Sequence, residues 1–293
     1  MFLATLLLLQ AATETRTGEF KNPRLTESSG VAVSRAHPGV LWTHNDSGDG
    51  PYLYATDLRG RDRGFLRVPG AEAFDWEDIA LGPCPLRSAR ARACLYLADT
   101  GDNLEVRPSV TVYAVPEPEP PTGPGDTLRT TGAPAILRLR YPDGSHDVEA
   151  IYVSPRDSAL YLVSKGRSAG GIRLYRVDRA KWAGGGGRGV ATAALVQTVD
   201  IRPHAEAGRW VTGAAVRPDG RVVAIRTYSE IYLFRVGGGG RLAPARKACD
   251  IAGLEPGGGG EAIDFLNDST LVLTSEASRR RAGTIHTVVC SSP

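Results

Sequence analysis

Five residues recur at one place in five similar segments: Ser29, Glu77, Glu149, Thr212 and Glu261. Each stands at the start of a short apolar run, reading SSGVAV (28–33), WEDIAL (76–81), VEAIYV (148–153), VTGAAV (211–216) and GEAIDF (260–265). Three of the five are carboxylates. Two unit charges about 4 Å apart repel by roughly 4 kcal/mol at an effective dielectric near 20. Carboxylates brought that close need a cation between them or must take up protons. The donors are all oxygens, with no Cys or His among them, which suits calcium better than zinc. Ser29 and Thr212 could add hydroxyl, carbonyl or water-mediated ligands. The plainer alternative is that the glutamates accept hydrogen bonds from neighbouring backbone amides and tie the segments together.

A second set of polar residues ends the apolar run that follows each of these. It comprises Asn45 and Asp46, Asp99, Ser164 and Lys165, Arg226 and Thr227, and Ser275 and Glu276. The following loops add Asp49, Asp102, Asn103 and Arg167. Carboxylates here could hold a cation, while Lys165, Arg167 and Arg226 meet anionic oxygens, with Asn45 and Glu276 alongside. Asp46 or Asp99 could position or deprotonate an attacking water. The run DTGDN (99–103) is also a good turn sequence in its own right. His44 and His146 read as hydrogen-bonded structural residues, and Trp42, Trp76 and Trp210 as packing. No GxSxG elbow, HExxH helix, dinucleotide fingerprint or Walker loop is present.

The elements that must position these residues are strands. Each unit shows a first strand, a second (LWTHND, 41–46; LYLADT, 95–100; LYLVSK, 160–165; VVAIRT, 222–227; LVLTSE, 271–276) and a third with an aromatic or branched centre. Fourth strands are expected at 65–70, 135–141, 194–200 and 248–253. The fifth unit runs out of chain after its third strand, so its fourth is expected from the N-terminus, around 14–20. The aligned positions 29, 77, 149, 212 and 261 fit blades of about 40–50 residues, with insertions at 118–134 and 184–187. The predicted fold is an all-β, five-bladed β-propeller over residues 13–293, with six blades as the alternative. Innermost strands line the channel of a propeller, so the first set should converge on its axis. Second strands run back, so their ends share that face.

The order Ser, Glu, Glu, Thr, Glu down the inner strands resembles the calcium-activated nucleotidases, the apyrase family. LWTHNDSGD (41–49), HDVEAIYVS (146–154) and YLVSKGRS (161–168) carry the likeness over the blade cores, roughly 27–290. The chain departs from that pattern where Asn45 replaces the first acid of a pair and Gly166 separates Lys165 from Arg167. These differences bear on nucleotide specificity more than on calcium. DWED (75–78) and DTGDN (99–103) are similar to the bacterial phytase-like propellers. The resemblance implies a secreted five-bladed propeller with an axial calcium on Ser29, Glu77, Glu149, Thr212 and Glu261. It further implies that Asp46 activates water and that Lys165, Arg167 and Arg226 neutralise phosphate.

Composition agrees with one large folded domain: 293 residues, 42% hydrophobic. Lys and Arg number 35 against 32 acids, a net charge of +3, which gives no reason to expect nucleic acid as a partner. FLATLLLL (2–9) with the small residues after it reads as a signal peptide over 1–12, implying a secreted or periplasmic protein. That run is too short to span a bilayer. Four cysteines suit an oxidising compartment. Cys84 and Cys94 could close an Arg-rich loop, and Cys249 and Cys290 could form a second bridge or stay as buried thiols. The expected partner is an anionic small molecule or surface ligand, bound by a monomer. Three functions remain open: a calcium-dependent phosphohydrolase, a non-catalytic binding propeller with a structural calcium, and an esterase or lactonase on the same scaffold.

Overall fold

A computed structural model describes residues 13–290 except 86–92, 125–128, 168–169, 184–188, 203–208, 246–248, 255–258 and 280. The expected signal peptide, the loop arginines 87–92 and the 184–187 glycine run lie outside the described residues.

Valine, isoleucine, leucine and tyrosine alternate with small residues through each run, and the runs pair as antiparallel strands. Five sheets result, each with an inner, a second, a third and an outer strand. Blade 1 is Ser28–Val33, Leu41–Asn45, Tyr52–Thr56 and Phe65–Arg67; blade 2 is Trp76–Pro83, Ala93–Asp99, Val110–Pro116 and Ala135–Arg140. Blade 3 is Val148–Val153, Leu160–Ser164, Ile172–Val177 and Ala194–Val199. Blade 4 begins Val211–Val216, Val222–Thr227, Glu230–Val236, and blade 5 is Gly260–Phe265, Thr270–Ser275, Thr284–Val289. The outer strand of blade 5 is Thr13–Glu19, antiparallel to Thr284–Val289. Five blades, not six, close the ring, and the N-terminal strand closes it as the sequence predicted. Closure removes the open edges that would otherwise template aggregation.

Two details differ from expectation. The outer edge of blade 4 is split: Leu242–Pro244 pairs with Phe234–Val236, and Cys249–Asp250 pairs with Glu230–Ile231. Pro244 cannot donate to a ladder and is tolerated at an edge, so only a short strand forms there. The insertion in blade 3 reaches across to blade 2. Its strand Val190–Thr192 pairs in parallel with Arg138–Arg140, and Trp182, buried, meets Tyr96 edge-on with the ring centroids 5.4 Å apart.

Buried side chains fill the spaces between neighbouring blades, with Trp42 and Trp76 fully enclosed between blades 1 and 2. Both cysteine pairs are bonded: Cys84–Cys94 within blade 2, and Cys249–Cys290 from the outer edge of blade 4 to the end of blade 5. Two disulfides favour an oxidising compartment. Among the described residues no helix is long and apolar enough to cross a membrane.

A candidate metal centre at the channel mouth

The five inner strands stand side by side in a closed ring. Each carries a β-bulge near its start. Register shifts fall between Ser28 and Gly30, Trp76 and Ile79, Val148 and Ala150, Val211 and Gly213, and Gly260 and Ile263. The residues left unpaired include Ser29, Glu77, Glu149, Thr212 and Glu261. A bulge breaks the strict alternation of side chains and re-aims one of them. Bulges at corresponding positions thus take the five residues out of the regular ladder, all of them buried.

Two aspartates hold the blades together. Asp78 accepts from the amides of Ile79 and Ile151 at 2.8 Å each and of Ala214 at 3.4 Å, joining blades 2, 3 and 4. Asp264 accepts from the amide of Val33 at 2.7 Å, joining blades 5 and 1. Backbone-amide ties between blades are thus made by neighbours of the glutamates, while Glu77 and Glu149 face other carboxylates.

Two clusters share Glu77. Carboxylate oxygens of Asp46, Asp75 and Glu77 lie within 4.8 Å of one another, and so do those of Glu77, Asp147 and Glu149. Lys165 pairs with Glu149, and its ammonium lies 3.9 Å from Asp147. Glu261 accepts a hydrogen bond from the Tyr228 hydroxyl at 3.3 Å. Burial, then the charges of Asp75, Glu149 and Glu276, pushes the Asp46 carboxyl up to about 8. Burial pushes Glu149 up to about 7 even though Lys165 pulls it down. Glu77 and Glu261 stand well above the usual range, again through burial first and neighbouring carboxylates second. Gly101 makes room for this crowding: a methyl group on its Cα would overlap the carboxylates of both Asp75 and Glu77.

The other predicted residues are placed as follows. Asn45 is a loop brace: its Oδ1 accepts from the amides of Thr26 and Glu27, and its Nδ2 donates to the Arg24 carbonyl and to Asp49. Asp99 is buried, accepting from Arg107 at 2.9 Å and from the Asp75 amide at 3.2 Å. Glu276 is half-buried near the acids, its carboxyl raised by burial and by Glu27. Arg226 is fully buried, and its Nη1 donates to the carbonyls of Ala262 at 2.7 Å and Thr274 at 2.9 Å. Its Nη1 is thus committed to blade 5. Arg167 is exposed, with its guanidinium over Trp210 at 4.7 Å, 3.9 Å from Asp147, and donating to Asn103 at 2.7 Å. Trp210, half-buried just before the inner strand of blade 4, thus packs against this loop of blade 3. Arg24, also exposed, lies 3.7 Å from Asp49.

Sequence reasoning did not single out Asp75, Asp147, Tyr228 or Arg24. A signal existed for the first two. Asp-x-Glu occurs twice, at 75–77 and 147–149, each ending on a residue of the column.

Buried oxygens at the mouth lack hydrogen-bond partners: Asp46 Oδ1, Asp147 Oδ2 and Thr212 Oγ1. Unpartnered buried polar atoms are costly, and a cation would satisfy them. The donor set is oxygen throughout, as calcium requires.

No protein-family model matches the chain, and no curated protein matches it. Among solved structures, hydrazine synthase of Kuenenia stuttgartiensis aligns with a TM-score of 0.41 at 13% identity, over 92% of this chain and 64% of that one. The chain thus spans less than two thirds of that protein's length.

Proposed function

We propose that the channel mouth is a calcium site and that the protein is a calcium-dependent hydrolase of anionic esters, with phosphate esters the first class to test. The observation that carries this reading is the set of five bulges, which gathers carboxylates and unpartnered oxygens. Glu77 stands at the centre of the donor set, with Asp46 and Asp75 on one side and Asp147 and Glu149 on the other. Ser29, Thr212 and Glu261 complete the ring. A bound calcium supplies charge neutralisation and polarises an ester oxygen. Asp46, at the half-open edge, accepts the proton of an attacking water. Arg167 and Arg24 are the exposed cations that meet the anionic head. Lys165 balances Glu149 and Asp147 and keeps the acids from repelling one another apart.

The test is calorimetric calcium binding, followed by phosphate release from nucleotides, inositol phosphates and sugar phosphates with calcium and then with chelator. Calcium-dependent release supports the hydrolase. Glu149→Gln is expected to weaken calcium binding at least about tenfold, a loss of one charge-assisted ligand, and to lower the calcium-loaded melting temperature. Gly101→Ala is expected to displace the Asp75 and Glu77 carboxylates and weaken calcium about tenfold, while the melting temperature in chelator moves by less than about 2 °C. Melting that is insensitive to both calcium and chelator in the parent protein sinks the calcium site.

A second reading has its own observation. Arg226 is spent on carbonyls and Lys165 on Glu149, so two cations expected to meet phosphate are committed inside the fold. A binding propeller with a structural calcium fits that arrangement. It predicts calcium stabilisation with no release from any ester.

A further inference from the structure

The mouth is acidic, yet one side of its rim is apolar. Phe74 is 68% exposed, Leu104 81% and Val106 67%. All three belong to the loops of blade 2 that border the acid clusters. Among the described residues the remaining exposed large hydrophobics, Val190 and Leu195, lie on outer strands. Large apolar side chains held in water are unfavourable, and a concentration of them beside a polar site marks a contact surface.

The loop presenting them is built rather than slack. The Asp102 carboxylate accepts from the amides of Val106 at 2.9 Å and Arg107 at 2.7 Å. Its carbonyl accepts from the Glu105 amide at 2.7 Å, and the Ser145 hydroxyl donates to the Arg107 carbonyl at 2.7 Å. Glu105, between the two apolar residues, is held at φ 51°, a left-handed conformation that a side chain adopts only at a cost. That turn fixes Leu104 and Val106 in water. The Arg107 guanidinium lies 4.9 Å from the Phe74 ring centre and joins Phe74 to the same loop.

This apolar rim is continuous with the site on both sides. Phe74 immediately precedes Asp75 of one cluster. The Asp102 amide donates to Asp147 of the other at 2.9 Å. Arg167, the exposed cation proposed for the anionic head, donates to Asn103, the residue before Leu104, at 2.7 Å. An anion held at Arg167 therefore has the apolar loop as its nearest neighbour. The sidedness matters: apolar residues on one blade suit an extended molecule lying radially across the rim, whereas a flat lipid surface would engage the rim all round.

We propose that the ligand is an amphiphilic anion, an ester with an alkyl or acyl chain whose head sits over the acids and Arg167 and whose chain lies on Phe74, Leu104 and Val106. This rests on the anionic-ester reading above for the head, and adds the chain. The experiment measures binding of two homologous series by calorimetry in calcium, below their micelle concentrations: ethyl to octyl phosphate, and the neutral butyl to octyl glucosides. The expected result is tightening by about twofold per methylene, as for a half-buried chain, in the parent protein. The slope is expected to vanish in the combined variant Phe74→Ser, Leu104→Ser, Val106→Ser, with ethyl phosphate affinity and melting temperature unchanged. A slope in the glucosides alone keeps the apolar subsite and overturns the anionic head. No slope in either series, or an equal slope in the variant, overturns the subsite, whether or not ethyl phosphate binds. Binding to phosphatidylserine vesicles that needs the three residues, without a chain-length slope, overturns it in favour of a membrane surface.

Discussion

Arg226→Ala is expected to lower the melting temperature by about 6–10 °C, and any activity should fall with the folded fraction rather than ahead of it. The side chain leaves the second strand of blade 4 and is enclosed against blade 5, where Nη1 donates to the Ala262 and Thr274 carbonyls. Truncation leaves a cavity and strips two buried carbonyls of a charged donor. Each buried carbonyl left without its donor costs about 1–3 kcal/mol, so the two together with the cavity cost about 3–5 kcal/mol, and in a chain of this size each kcal/mol moves the melting temperature by about 2 °C. Arg226→Lys retains the charge but not the planar fork, so it should recover only part of the loss. The measurement is thermal melting beside phosphate-ester turnover per folded molecule. An anion-binding Arg226 would give the opposite pattern, with turnover lost and melting unchanged.

That residue shows where sequence reading reaches its limit. Aligning the repeats put Arg226 beside Lys165 because both end a second strand. Whether such a side chain turns to the mouth or into the gap between blades depends on the neighbouring blade, which local pattern does not contain. The column itself was legible for a physical reason. The repeats align at the same level as the bulges, so Ser29, Glu77, Glu149, Thr212 and Glu261 share a register in sequence and in space. The bulges were not legible, since an extra residue leaves no compositional mark. The blade count followed from the strand triplets, and ring closure from the missing fourth strand of the last unit. The split edge of blade 4 was hidden by the glycine-rich stretch before it, where the apolar run at 248–253 outweighed the shorter one at Leu242–Pro244. The exposed tip at Leu104 and Val106 was equally hidden, because DTGDN reads as an ordinary turn.

With calcium stripped, stability is expected to fall steadily as pH rises from about 5 to about 8, and calcium should flatten that fall. In the unfolded chain the mouth carboxyls ionise near pH 4. In the folded chain burial and mutual repulsion hold Glu149 protonated to about 7 and Asp46 to about 8, with Glu77 and Glu261 also raised well above the usual range. Between those limits the folded state carries protons that the unfolded state has released. Stability then declines with rising pH, by about 1.4 kcal/mol per pH unit for each group in that window. The contribution is complete below about pH 4 and exhausted above the folded values. In melting temperature this is about 3 °C per pH unit per group. Calcium replaces the protons, so its stabilising shift should be small at pH 5 and large at pH 8. Glu77→Gln separates the two effects because it removes one charge and one ligand together. It should raise melting above that of the parent in chelator at pH 8 and fall below the parent in calcium. A parent protein whose melting in chelator is flat from pH 5 to 8 would mean that these carboxyls are already ionised and accommodated, and the case for a cation at the mouth would lose its electrostatic basis.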